Sequence, residues 1–179
     1  MKTSPILHGI WLLSLAFFTS CQPQLQEIPE QVMGLAPVYA TTDWRVIKVS
    51  DSRAIQKLGK MYYKDGYIFA GERGQGIHII DNRDPFNPRR LKFIEIAGNS
   101  DVAIKGNFLY ANNLFDLVVL DISNLDQIRV VSRVEKAFPN IEATPLPDNY
   151  TGFFECTDPA RGVVSHWEEQ LLKRPQCWR

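Results

Sequence analysis

An all-β fold of antiparallel meander repeats is what this sequence predicts, on three observations. First, sliding the chain by 40 residues lays it over itself without a gap: Gly66 falls on Gly106, Asp81 on Asp121, Arg89 on Arg129 and Glu95 on Glu135. Second, turn-forming residues fall at the same places in both copies, with Asp65-Gly66 answering Lys105-Gly106. Third, Ile77-His78-Ile79-Ile80 and Leu117-Val118-Val119-Leu120 are apolar at nearly every position, as in strands buried on both faces. Four short strands in a repeat of about forty residues is the spacing of propeller blades, whose middle strands are covered by neighbouring sheets. The expected fold is propeller-like, with two clear blades and a C-terminal β-hairpin segment.

The first unit reads as strands over 60–63, 67–70, 76–80 and 89–96, with counterparts in the second. Glycine between the first two strands takes the positive φ that a tight hairpin needs. Asp81 and Asp121 begin turns, since a short carboxylate accepts hydrogen bonds from amides two residues on. Asp84-Pro85-Phe86-Asn87-Pro88 excludes helix after the third strand. Ordered structure is expected from about Trp44, where Val46, Ile47 and Val49 make a short strand-like run. Beyond Pro139, Pro145 and Pro147, residues 152–156 and 162–172 are expected to pair as a hairpin across 157–161.

The N-terminus has a different logic. Lys2 precedes an apolar run from Ile6 to Phe18, broken only by His8, Gly9 and Ser14, which is a signal-peptide pattern. Its thirteen residues fall short of the roughly 20 that a membrane-spanning helix needs. Phe18-Thr19-Ser20-Cys21 then resembles the lipobox of bacterial lipoproteins, with Phe18 in place of the usual leucine. That resemblance implies cleavage before Cys21 and lipidation of Cys21, with several acyl chains giving a firm anchor. Residues 21–43, with Pro23, Pro29, Pro37 and four glutamines after Cys21, read as a flexible tether. The divisions are thus a signal peptide over 1–20, the tether over 21–43, the repeats over 44–138 and a Pro-rich linker with hairpin over 139–179. Without Asp after Cys21, the lipoprotein is expected at the outer membrane.

Composition narrows the partners. With Lys2 removed, 19 basic residues face 20 acidic ones, so neither nucleic acid nor anionic lipid is called for by charge. Of the three cysteines, Cys156 and Cys177 remain once Cys21 is lipidated. In an oxidising compartment they would pair; two free thiols or half of a metal site are the alternatives. No CxxC spacing exists and His166 is the only imidazole near them, so no metal is expected.

Leu117-Val118-Val119-Leu120-Asp121 resembles the core of the LVIVD repeat, and Gly76-Ile77-His78-Ile79-Ile80-Asp81-Asn82 resembles a variant of it. Residues 98–106 are similar to the segment leading into the next unit in LVIVD lipoproteins of Bacteroidetes-type bacteria. The resemblance spans about residues 53–179 and implies a propeller-type fold on the bacterial surface, with little said about activity. Members generally carry more repeats, so two blades need cover from the C-terminal segment, a partner or sister chains. Leu125 and Ile128 stand where the first unit has Pro85 and Pro88, which predicts a looser turn in the second.

Residues of chemical interest are few. His78 inside an apolar strand and His166 beside Trp167 read as packed structural side chains. No Gly-x-Ser-x-Gly elbow is present, and Glu72-Arg73-Gly74-Gln75-Gly76 lacks the lysine and helix of a phosphate loop. Paired carboxylates among Asp81, Asp84, Asp101, Asp116 and Asp121 would be needed for an envelope hydrolase, the least favoured reading. The favoured one has no catalytic residue and no cofactor: a binding or scaffolding component with a protein or glycan partner, its contacts on loops at one end of the sheets. The candidates are Glu72, Arg73, Gln75, Asn99, Asp101, Asn112, Asn113 and Phe115. The second reading is an accessory subunit or shortened paralogue completed by another chain.

Overall fold

A computed structural model describes residues 27–41, 43–138, 146 and 150–179. The signal segment, Cys21 and the linker prolines Pro139, Pro145 and Pro147 lie outside the described residues. Thirteen strands follow in order: β1 (Gln31–Tyr39), β2 (Lys48–Asp51), β3 (Leu58–Lys64), β4 (Tyr67–Glu72), β5 (Gly76–Asp81), β6 (Arg89–Glu95), β7 (Val102–Lys105), β8 (Phe108–Asn113), β9 (Asp116–Asp121), β10 (Arg129–Val134), β11 (Phe153–Phe154), β12 (Val164–Lys173) and β13 (Cys177–Trp178). They form three sheets, ordered β2-β6-β5-β4-β3, β10-β9-β8-β7 and β12-β1-β11-β13, none of them closed. Among the described residues no helix is long and apolar enough to cross a membrane.

The first two sheets are the predicted repeats, and their turns show why the sequence repeats where it does. Asp81 Oδ1 accepts from the Arg83 amide at 3.1 Å, and Asp121 Oδ1 from the Ser123 amide at 3.0 Å. The other oxygen of each meets the arginine opposite it on the next strand, Arg89 at 3.4 Å and Arg129 at 3.0 Å. The turns beyond are alike too: Asp84 caps Phe86, and Asn124 caps Asp126 at 2.9 Å. The second turn is therefore no looser, because Asn124 makes the same side-chain cap that Asp84 makes in the first, and this bond holds the turn without Pro85 and Pro88.

The gapless 40-residue shift holds for only half of each unit. Lys64 pairs with Tyr67 across Asp65-Gly66, whereas Lys105 pairs with Phe108 across Gly106-Asn107, one residue later than expected. A three-residue loop, Arg73–Gln75, then joins β4 to β5, and a two-residue loop, Leu114–Phe115, joins β8 to β9, which restores the shift of 40. The first unit also gains an outer strand, β2, at the position of the strand-like run near Val49.

The two sheets stack through opposite faces. Phe69, Ile77, Ile79 and Ile94 of the first pack against Leu109, Ala111, Val118 and Leu120 of the second. In repeat terms Ile77 and Ile79 correspond to Leu117 and Val119, which point the other way and are half-buried. Each unit thus offers one face to its successor and the other to its predecessor, as propeller blades do. β9 is therefore not buried on both faces as expected, because no third repeat covers it among the described residues. The Tyr62 hydroxyl donates to the Ile104 carbonyl at 3.1 Å, joining the adjacent strands β3 and β7 of the two sheets.

The third sheet corrects two expectations. Residues 31–39, assigned to the tether, form β1, with Leu35 and Ala36 buried. Pro37, one of the prolines that suggested a linker, is compatible with this strand. The Leu35 carbonyl accepts from the Glu155 amide on the β11 side, so Pro37, two residues on, turns its missing N–H away from β12, beyond the end of β11. The C-terminal segments do not form a hairpin with each other. β1 lies between them, pairing antiparallel with β12 and parallel with β11. A 3₁₀ turn, Pro159–Arg161, helps carry the chain over the end of β1, where the Asp158 amide donates to the Tyr39 hydroxyl at 2.7 Å.

Cys156 and Cys177 are joined by a disulfide across 21 residues, fastening β13 to the β11 side of this sheet. Replacing both by serine should lower unfolding stability by about 3 kcal/mol, the chain-entropy value for a loop of this length. Chemical denaturation of the oxidised protein and the double variant, read by near-ultraviolet circular dichroism, checks this.

Candidate functional site

The loop ends of the two repeats and the third sheet meet, and there the predicted site residues divide into two groups. Glu72, Asn99, Asn112 and Asn113 are buried, which corrects their assignment to an exposed loop face. The reason is that the loop backbone must find hydrogen-bond partners inside the structure. Asn112 Oδ1 accepts from the amides of Ser100 and Asp101, and its Nδ2 donates to the Gly98 carbonyl at 2.9 Å. Asn99 Nδ2 donates to the carbonyls of Asp101 and Asn112. Asn113 Nδ2 reaches the carbonyls of Trp44 and Ala97, while its Oδ1 accepts from Arg133 at 2.9 Å.

Glu72 does similar work in the first unit. Its Oε1 accepts from the amides of Gln56 at 2.9 Å and Lys57 at 2.6 Å, and its Oε2 lies 2.7 Å from His78 Nε2. His78 is fully buried against Phe93, so its packed, structural placement is as expected. Burial by itself would raise the Glu72 carboxyl, but the Lys57 amide, His78 and the Gln56 amide together hold it below its ordinary value. Asp116 is balanced alike: burial is outweighed by the Lys136 amide and by Arg45 and Arg133. Asp116, one of the carboxylates a hydrolase pair would need, here accepts from the Lys136 amide, Arg45 and Arg133.

The remaining candidates are accessible to different degrees. Phe115 is half-buried, edge-on to Trp44. Gln75 accepts from Arg53, and Asp101 pairs with Lys60. Arg73 is exposed. Its side chain has no hydrogen-bond or ion-pair partner among the described residues.

Arg73 borders a cleft of about 820 Å³ between the repeats and the third sheet. The repeat wall is built by three backbone segments laced together: Arg73 N donates to Lys57 O at 3.0 Å, Gly74 N to Asn99 O at 2.7 Å and Gly98 N to Gly74 O at 2.8 Å. The opposite wall carries Leu35, Ser165, His166, Trp167 and Glu169, with Tyr150 beside them. The two walls come closest at Gly74 and His166. Gly74 has φ +74°, and a Cβ there would lie 2.2 Å from His166 Cβ, so only glycine lets β12 come this close. Lys57 Nζ crosses to the Trp167 carbonyl at 3.2 Å.

Lys57, Lys60 and Arg73 give the cleft three cations against Glu169, with Leu58, Tyr150 and Trp167 as apolar surface. Sequence reasoning found Arg73 and Asn99 among these. It missed Lys57, Lys60, Tyr150 and Trp167 because the strand that brings the C-terminal segment alongside, β1, had been assigned to a tether.

The class defined so far is an all-β protein of stacked, propeller-like antiparallel units. Residues 98–135 match the LVIVD repeat, a span that holds the second sheet and the loop leading into it. No curated protein and no solved structure matches the chain.

Glu72 links the site to pH. A carboxyl held below its unfolded value contributes stability that is present above the unfolded value of 4.5 and is lost as pH falls through the folded one. The melting temperature should be flat from neutral pH to about 5 and fall below about 4. Glu72→Gln, which weakens charge-assisted bonds to two amides, should cost about 1–3 kcal/mol at neutral pH and make the acid decline shallower. Thermal melts of both proteins across pH 3–8 test this.

Proposed function

We propose that this chain is a non-catalytic binding component of the bacterial cell envelope, exported and held at the outer membrane by lipid on Cys21. Its ligand, a protein or glycan with an acidic group, enters the cleft beside Arg73. The observation that carries this reading is the cleft itself. Loop residues such as Glu72, Asn99, Asn112 and Asn113 are spent on holding its wall, while Arg73 stands free at its edge. A preformed concavity with apolar surface and a few convergent polar groups is what ligand sites generally offer. The lipobox-like Phe18-Thr19-Ser20-Cys21 supports the envelope placement, and an LVIVD repeat agrees with a scaffold that presents loops.

One feature favours a second reading, in which another chain completes the stack. On the uncovered face of the second sheet Phe108 and Val134 are exposed, and Leu117 and Val119 half-buried, where a third blade would sit. A detergent-solubilised chain that runs as a defined oligomer in light scattering, rather than as a monomer, would favour this reading.

Calorimetric titration of the full chain with oligogalacturonate, an acidic saccharide, should give saturable binding that neutral dextran oligomers do not. Arg73→Ala and Lys60→Ala should each weaken it about tenfold, the loss of one charge-assisted hydrogen bond. Equal binding by the variants would remove the cleft from the proposal.

A further inference from the structure

We infer that the end of the third sheet where β1 begins rests edge-on in the membrane surface, with Met33, Leu171 and Trp178 in contact with lipid. The inference rests on the proposed lipid anchor at Cys21 and adds an orientation to it. The correction of the tether supplies the constraint. Only six residues lead from Cys21 to Glu27, so the anchor lies at most about 20 Å from the first described residue even at full extension. β1 starts at Gln31, pairs there with Lys173, and so brings the end of β12 to the same place.

That end is apolar where a protein facing only water would have little to gain. Met33 and Leu171 are cross-strand partners, 61% and 57% exposed, and Ile28 just before β1 is 50% exposed. Trp178 is 52% exposed. Its partner Phe153 lies next to Gly34, since a Cβ on Gly34 would meet the Phe153 carbonyl oxygen at 2.3 Å. Leu35 is in register with Phe154, so Phe153 and Trp178 point to the face opposite Leu35, Met33 and Leu171. The apolar groups straddle the sheet end on both faces, which suits insertion of an edge and not the laying down of a flat face. Tryptophan is the side chain most at home at the boundary of lipid and water. Charge is nearly balanced here: Glu27 and Glu30 precede β1, Lys173 ends β12, and Arg174 just after it is already paired to Glu30. The occupant is therefore a lipid surface held by apolar contact, without a requirement for anionic headgroups. The same placement leaves the cleft, formed further along β12 by residues 165–169, open above the membrane.

The test uses the full chain recovered from bacterial membranes and reconstituted into phosphatidylcholine vesicles with or without bromine on the upper acyl carbons. Trp178→Phe isolates the Trp178 emission by difference. Trp178 should lose most of its emission in brominated vesicles, Trp44 and Trp167 should keep theirs, and Met33→Ser with Leu171→Ser should restore much of the loss. Unquenched Trp178 in a chain whose Cys21 carries diacylglycerol by mass spectrometry overturns the orientation and leaves the anchor standing. Absence of lipid on Cys21 overturns both.

Discussion

The structure depends on the stacking of one repeat sheet on the other. Among the described residues, twelve buried side chains form this interface and its borders and three form the cluster at the third sheet, so most of the apolar stabilisation these residues supply lies between the repeats. Each fully buried aliphatic side chain contributes roughly 1.5–3 kcal/mol relative to exposure. Stacking also fixes chemistry elsewhere. Two sheets in face contact leave their loop ends side by side, and the backbone there must be satisfied without much water. Short amide and carboxylate side chains do this in both units: Glu72 in the first, Asn112, Asn113 and Asp116 in the second. Residues that look like a ligand-binding set are thereby a consequence of packing.

How far the sequence could be read follows from the range of each interaction. The repeats were legible because their signals are local: Asp81 and Asp121 bond amides two residues away, and the arginine opposite each lies eight residues on. The stagger between the units was not, since one residue gained ahead of the β7–β8 hairpin and one lost from the loop after it leave the apolar runs aligned. β1 was illegible for a different reason. Its main partner, β12, comes about 130 residues later, and Pro37 within it and Pro29 just before it carry a local signal against strand that only the sheet around it overrides. From that one error followed the supposed C-terminal hairpin and the missed half of the cleft.

The buried candidates show the same limit. Glu72, Asn99, Asn112 and Asn113 lie in or beside short loops, and polar residues in loops are usually solvated. Only the fold reveals that these loops are stacked against each other and against residues 44–57, so that a side chain in a tight turn serves a neighbouring segment's backbone.

The two units, though repeats, are used differently at their loop ends, and a single position accounts for much of this. In the second unit Leu114 takes φ +51° and plugs the loop, buried against Gly98, where a Cβ would lie 2.3 Å from it. Trp44, Arg45 and Arg133 close that end further. In the first unit the extra loop residue and Gly74 remove any side chain at the corresponding point, and β12 approaches until only a glycine fits. One unit is sealed and the other is open against a third sheet. The cleft exists because the repeat is broken there by one residue and by the absence of one side chain, so the unit that departs further from the LVIVD pattern carries the candidate site.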